Sequence, residues 1–221
     1  MHTTNQKYMS TKSDSRATAI ANKSKKQRIP NYLIKETIDG IPFYYKGFRS
    51  VLNKTKTKAD IMADSGLKGF IKMFLVTILA QKLDLTKYHF FVGETGAHLD
   101  RRNNLSLDLS IFEQKVLTPD KITTKYIDVH PKIVIEIDVN VEVEDPSSST
   151  FDQFVLRKVR KLHKFGTEKI IWIFSKSETI IVATPDNKWD VMDWDNEVEI
   201  LDGISFNVAK YLKEKGISLD A

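Results

Sequence analysis

Residues 133–145, IVIEIDVNVEVED, alternate between apolar side chains and acidic or amide side chains. Period-two alternation predicts a β-strand with one face turned to a core. Between Ile133 and Glu144, only Val134 departs from the alternation. The polar parity is unusual because it is made mostly of carboxylates, which repel one another unless a cation lies among them. The polar positions are Glu136, Asp138, Asn140, Glu142 and Glu144.

The rest of the chain predicts further strands and helices around this strand. A hairpin is expected at Asp39-Gly40, since that dipeptide suits a tight turn. Ser65 or Asp64 caps a predicted helix over 67–83, and Gly166 ends a second one over 151–165. The other expected elements are strands in YHFFVGE and LSLDLSIFE with an irregular polar stretch between them through Asn104, a short helix within 46–65, a hairpin around 176–178, a short strand pair near 189–194 and 198–206, and a helix over 207–215. This order predicts an α/β fold with a mixed sheet and helices packed on it.

Charge divides the chain into two parts. The first 29 residues hold seven Lys or Arg and one Asp, so the remaining residues carry about as many acids as bases. With few large apolar side chains, residues 1–28 are expected to be a disordered basic tail that could hold nucleic acid or merely add solubility. Residues 29–221 are expected to form one domain.

Two absences in the composition bear on location. The chain has no cysteine, which excludes disulfides and thiolate metal sites. Its longest apolar stretch, residues 73–80, is far shorter than the roughly 20 residues of a membrane span. We therefore expect a cytoplasmic protein with no membrane partner.

Three acids are predicted to meet on one surface of the sheet. Asp108 is on the polar parity of LSLDLSIFE, and Glu136 and Asp138 are on the polar parity of the acidic strand. Elements close along the chain are usually neighbours in space. Oxygen ligands without Cys or a suitably placed His favour Mg²⁺, with Mn²⁺ as substitute. The expected metal ligands are Asp108, Glu136 and Asp138.

A lysine in the second long helix is expected to face these acids. At about 100° per residue, Lys158 falls within the apolar arc of that helix, whereas Arg157, Arg160 and Lys164 fall outside it. A lysine on the core side must extend to solvent or meet an anion. A metal held by carboxylates beside a lysine is suited to phosphodiester hydrolysis, so the expected catalytic residues are Asp108, Glu136, Asp138 and Lys158.

Several segments resemble the Uma-type restriction endonucleases of the PD-(D/E)xK nuclease superfamily. The resemblance spans roughly residues 31–210 and is carried by the segments KETIDG, LDLSIFEQKV, PKIVIEIDV, SSSTFDQFVLRKVRKLHKFGTEKIIWIF and LDGISF. It implies a restriction-endonuclease-like fold with a bent central sheet and additional N- and C-terminal hairpins. It also implies a metal-dependent endonuclease acting on DNA. We expect a homodimer, because cutting both strands of a duplex needs two such sites. The two acids of its motif correspond to Asp108 and Glu136, and a lysine eight residues before the helix-ending glycine corresponds to Lys158.

The chain departs from the family pattern at several positions. Leu107 replaces the motif proline, Asp138 replaces the usual lysine, Leu162 stands where an aromatic residue is common, and the helix over 67–83 has no glutamate, although Asp84 follows it. These departures leave open a catalytically weak or inactive module that binds nucleic acid or forms a dimer. A third class of function also stays open, an interaction module that does not bind nucleic acid.

Each candidate residue also has a purely structural interpretation. Asp108 could be a solvated strand acid, Asp138 a hydrogen-bonded acid and Lys158 a structural ion-pair partner, with Lys161 as the substitute lysine. The other polar candidates lack motif spacing. Glu142 and Glu144 are expected to be solvated, His163 to lie on the surface, and Trp172, Trp189 and Trp194 to serve the core or a dimer contact.

Overall fold

The computed structural model of the protein describes residues 28–145, 147–186 and 188–218. The expected disordered tail therefore lies almost wholly outside the described residues. Within the described part, nine strands form one mixed sheet in the order β6-β2-β1-β4-β5-β7-β8-β9, with β3 also paired to β4. The strands are β1 (Ile34–Ile38), β2 (Ile41–Tyr45), β3 (Tyr88–Asp100), β4 (Asn103–Glu113), β5 (Ile133–Ile137), β6 (Val141–Glu142), β7 (Lys169–Phe174), β8 (Thr179–Ala183) and β9 (Trp189–Asp193).

Helices and a separate hairpin cover the two faces of this sheet. The helices are α1 (Phe48–Leu52), α2 (Ala59–Met62), α3 (Gly66–Lys82), α4 (Leu156–Phe165) and α5 (Val208–Glu214), and β10 (Val198–Leu201) pairs with β11 (Ile204–Phe206). A π-helical turn, Phe151–Val155, leads directly into α4. The mixed α/β fold with helices flanking a large sheet confirms the predicted fold class.

Strand β5 is buried on both faces. Its odd residues Ile133, Ile135 and Ile137 pack in the cluster that contains Ile71, Leu75 and Leu79 of α3. Val134 packs on the other side with Val155, Val159 and Leu162 of the π-turn and α4. Val134 is thus a core residue, and Glu136, which shares its parity, faces protein rather than water.

The acidic segment is not one continuous strand. β5 ends at Ile137, and Asp138 has a positive φ of 60°. The chain then forms the two-residue strand β6, which pairs with β2 on the far side of the sheet. Period-two alternation alone did not reveal this break, because a left-handed residue changes the direction of the chain without changing the pattern of residue types.

Two further sequence expectations need correction. The polar stretch before Asn104 is strand: β3 and β4 form a long hairpin that includes pairs from Tyr88–Glu113 to Asp100–Asn103. The segment 189–193 pairs with β8, not with 198–206, which forms its own hairpin. In both cases the structure of the segment depends on the strand with which it pairs, and local strand propensity does not identify that strand.

Local signals placed the main helices correctly. The Ser65 side chain accepts a hydrogen bond from the Lys68 backbone N–H and caps α3, as predicted. Gly166 ends α4 with φ of 123°, and a Cβ there would lie 2.8 Å from Cγ of the His130 ring. The predicted hairpin at Asp39-Gly40 is also present, with positive φ at both turn residues. None of the described helices is long and apolar enough to cross a membrane.

Candidate active site

Lys158 lies at the centre of the candidate site, on the sheet-facing side of α4. Its side chain is fully buried. The Nζ atom is 2.9 Å from Glu36 Oε1, 2.7 Å from the Ser106 carbonyl oxygen and 3.0 Å from Glu136 Oε1. Burial alone would lower the pKa of this amine, but the two carboxylates outweigh burial and raise it. The amine is therefore a permanent cation at neutral pH.

Glu36 is a member of the site that sequence reasoning missed. It lies on β1, far from Lys158 along the chain, and its carboxyl group is buried. Burial raises its pKa, against the opposing effect of Lys158. The sequence held one signal for it: Glu36 shares the parity of Ile34 and Ile38, so a carboxylate stands in the apolar series of its strand.

Glu136 is placed as predicted, on the α4 side of β5. Its carboxyl group is buried, and Oε1 forms an ion pair with the Lys158 amine at 3.0 Å. Burial raises the pKa of Glu136 to about 7, with Asp108 and Glu36 adding to the rise and Lys158 opposing it. Two buried glutamates thus share one ammonium, and the group carries excess negative charge when both are ionised.

Asp108 lies on β4, next to β5. The pairs Leu109–Ile135 and Ser110–Val134 place Asp108 opposite Glu136 in the antiparallel register. Asp108 Oδ2 accepts a hydrogen bond of 3.0 Å from the Ile137 N–H. Burial raises the pKa of Asp108, but its cationic and hydrogen-bonding neighbours bring it below the ordinary value.

Two lysines of α3 pair with Asp108, and sequence reasoning missed both. Lys68 Nζ is 2.8 Å from Asp108 Oδ2, and Lys72 Nζ is 3.5 Å from Oδ1. Both amines also contact Asp64, at 3.3 and 2.6 Å. Lys68 precedes Ile71 by three residues and Leu75 by seven, so the helical spacing that identified Lys158 identifies Lys68 as well.

The carboxyl group of Asp138 binds Ser175 and not the lysines that pair with Asp108 and Glu136. Its Oδ1 accepts a hydrogen bond of 2.6 Å from the Ser175 N–H, and its Oδ2 accepts one of 2.7 Å from the Ser175 hydroxyl. Its carbonyl oxygen accepts a hydrogen bond of 3.1 Å from Trp172 Nε1. These contacts hold Asp138 at the end of β7, beside the core site. A role for it as a third metal ligand stays a prediction.

The remaining candidates take structural places. Lys161, the substitute for Lys158, pairs with Asp39 and is partly exposed. Glu142 is not a free solvated acid, because Oε2 lies 2.7 Å from Arg49 Nη1. Trp172 and Trp194 are buried core residues. His163 is half-buried, with Nδ1 2.8 Å from the Thr167 carbonyl oxygen.

A cleft opens beside the α3 lysines. Its volume is about 660 Å³, and it is lined by Ser65, Lys68, Lys46, Lys176 and Asp138 among others. A second cleft of about 410 Å³ shares Lys46 and Ser65 with the first. Lysines therefore outnumber acids along the approach to Asp108, which suits a polyanionic ligand.

The donor atoms fit a hard divalent cation in chemistry. Asp108 and Glu136 offer carboxylate oxygens from opposite positions on neighbouring strands, and both carboxyl groups are buried. No three His, Asp or Glu side chains converge into a metal site in the part of the chain that the structure describes. An ion bound by Asp108 and Glu136 would therefore need further ligands from water or from a substrate.

Comparison with known proteins supports the fold. The chain is similar to a crystal structure from Anabaena variabilis ATCC 29413 described as "a putative nuclease belonging to DUF820". The two share 16% sequence identity at a TM-score of 0.56, over 80% of this chain and 89% of that one. No family model matches the chain, and no curated protein matches it. The chain thus shares the fold of that structure, a large mixed sheet flanked by helices.

Proposed function

We propose that the protein is a metal-dependent endonuclease that hydrolyses phosphodiester bonds of nucleic acid, with DNA as the expected substrate. One observation carries the proposal: the Lys158 amine is fully buried against Glu136, and Asp108 lies opposite Glu136 on the next strand. Buried charges of this kind are costly to a fold, and groups with perturbed pKa values cluster at functional sites. The nuclease-like fold supports the same class of reaction.

Each side chain has a distinct task in this proposal. Asp108 and Glu136 would hold Mg²⁺ or Mn²⁺, which in phosphodiester hydrolysis polarises the phosphate and lowers the pKa of a bound water. Glu36 and the Ser106 carbonyl oxygen fix the position of the Lys158 amine. Lys158 would supply positive charge beside the attacking water and the phosphate as negative charge develops there.

Cleavage of supercoiled plasmid tests the proposal. Wild-type protein is expected to nick the plasmid in MnCl₂ or MgCl₂ and not in EDTA, whereas Glu136→Gln is expected to lose at least 100-fold in rate, as removal of a key electrostatic group typically does. Glu113→Gln is the matched control, because Glu113 is also a strand glutamate in ion pairs, with Lys115 and Lys132, outside the site. Equal rates for wild type and Glu136→Gln would contradict the proposal.

A homodimer is part of the same proposal. Cutting both strands of a duplex requires two sites, and a two-fold dimer is the commonest way to supply them. Light scattering after size-exclusion chromatography is expected to give twice the chain mass of 25.4 kDa. A monomer that nicks one strand would retain the endonuclease proposal and remove the dimer from it.

A second candidate is a nuclease-fold module that binds nucleic acid without cutting it. The pairing of Asp108 with two lysine amines favours it, because those cations already neutralise a carboxylate that a metal would need. In that case a fluorescent oligonucleotide would bind with strong salt dependence, and no cleavage would appear in any divalent metal. Binding measured in EDTA, followed by addition of MnCl₂, separates the two candidates.

A further inference from the structure

We propose that Lys68 sets the affinity of this site for divalent cations, because its ammonium group serves as a resident cation at Asp108. The inference rests on the proposed role of Asp108 and Glu136 as metal ligands. Lys68 Nζ lies 2.8 Å from Asp108 Oδ2 and 3.3 Å from Asp64 Oδ1, and its side chain is 2% exposed. A lysine buried to this degree is rare unless it is paired.

The fold directs the Lys68 side chain to Asp108 in the metal-free protein. Ser65 caps the first turn of α3 through the Lys68 N–H, and Lys68 shares the core face of the helix with Ile71 and Leu75. The Lys68 side chain therefore points into the protein on the same side as these apolar residues, and its amine contacts Asp108. Its ion pairs with Asp108 and Asp64 offset the cost of burying its charge.

The contacts of Asp108 place this amine in competition with a metal ion. Asp108 Oδ2 already forms an ion pair with Lys68 and accepts a hydrogen bond from the Ile137 N–H. Its Oδ1 lies 3.5 Å from Lys72 Nζ. A divalent ion on Asp108 would lie within a few ångströms of two ammonium groups in a buried setting, where like charges repel strongly. Metal binding therefore requires the Lys68 amine to leave Asp108.

The cleft beside the site offers a destination for the displaced amine. Lys68 lines that cleft of about 660 Å³ together with Lys46 and Lys176. A phosphate group of nucleic acid entering the cleft would bring negative charge to Lys68, and phosphate oxygens commonly complete the coordination of Mg²⁺. The free protein is thus expected to bind divalent metal weakly, and substrate phosphate is expected to strengthen that binding.

Titration of the full chain with MnCl₂ alone tests the inference. Free Mn²⁺ is followed by electron paramagnetic resonance and the protein by thermal unfolding, so no nuclease activity is needed. Lys68→Met is expected to lower the Kd for Mn²⁺ at least tenfold relative to wild type, since Asp108 loses its nearest cation. Adding Asp108→Asn to Lys68→Met is expected to remove the gain. Lys82→Met, in an exposed lysine at the end of the same helix, is the matched control and should leave the Kd unchanged.

Two results would overturn the inference. The first is an equal Kd for wild type and Lys68→Met, and the second is a gain that survives Asp108→Asn. If Lys68→Met fails to fold, the test uses the wild-type protein and Asp108→Asn. Binding of Mn²⁺ to the free wild-type protein at a micromolar Kd, with loss of that binding in Asp108→Asn, would contradict a resident cation. Weak binding in wild type, strengthened by a non-cleavable phosphorothioate oligonucleotide, supports it. Absence of plasmid cleavage would count against the proposed nuclease and leave the metal titration intact.

Discussion

Lys158 Nζ and Glu136 Oε1 lie 3.0 Å apart in a site where the lysine side chain is fully buried. The same amine also binds Glu36 at 2.9 Å, so one ammonium pairs with two carboxylates from strands that are not adjacent. Helix α4 and strands β1 and β5 therefore meet at a buried charged centre. Ion pairs of this kind are sensitive to the loss of one partner, which makes the site testable by stability as well as by activity.

Lys158→Met is expected to destabilise the protein by about 3–5 kcal/mol, because it leaves Glu36 and Glu136 buried without their cation. Urea unfolding followed by circular dichroism measures the change. Lys161→Met, which removes a partly exposed lysine of the same helix paired with Asp39, is expected to cost less than about 1 kcal/mol. A Glu36→Gln, Glu136→Gln, Lys158→Met triple variant should recover most of the loss. Equal effects of the two lysine substitutions would show that Lys158 is not buried against carboxylates.

The stability of the metal-free protein is expected to fall as the pH rises from 5 to 8. The pKa of Glu136 is raised to about 7, and that of Glu36 is also raised, so the native state binds protons that the unfolded state has released. Stability then decreases with pH wherever the native state is the more protonated, by roughly 3 kcal/mol across this window for Glu136. Urea unfolding in EDTA at each pH measures it. Glu136→Gln should show a flatter dependence, and a slope equal to that of wild type would contradict the assignment.

Asp138 is expected to act as an anchor for Ser175. Asp138→Asn should cost about 1 kcal/mol, since asparagine tolerates positive φ and keeps one acceptor, whereas Asp138→Ala should cost about 2–3 kcal/mol through lost hydrogen bonds and backbone strain. Ser175→Ala is the matched partner variant in the same unfolding assay. If adding Asp138→Asn to Lys68→Met weakened Mn²⁺ binding about tenfold relative to Lys68→Met alone, Asp138 would instead be a third metal ligand.

Gly166→Ala is expected to destabilise the protein by about 2–4 kcal/mol. Gly166 has φ of 123°, and an added Cβ would lie 2.8 Å from Cγ of the His130 ring. Gly216→Ala, also at positive φ but with open space around the added carbon, is expected to cost about 1 kcal/mol. Thermal unfolding of both variants measures the difference. If adding His130→Ala to Gly166→Ala restored part of the lost stability, that part would be due to the steric contact with the His130 ring.

Sequence periodicity located part of the candidate site because burial leaves a local trace. Lys158 lies among the apolar positions of its helix, and the structure buries it fully. Lys68 and Glu36 leave the same kind of trace, a charged residue in an apolar series, so both could have been predicted from the same signal. Asp138 was harder to predict, since its residue type continues the alternation while its backbone turns away at φ of 60°.

The sequence by itself determined the α/β class, the two long helices with their caps, and the strand that carries Glu136. Those features depend on neighbours within a few residues, where spacing and capping act directly. Only the tertiary structure decided that Glu36 shares Lys158 with Glu136, and that Asp108 is paired with Lys68. The physical reason is distance along the chain: Lys158 and Glu36 are 122 residues apart, and their pairing depends on how the whole sheet brings the strands together.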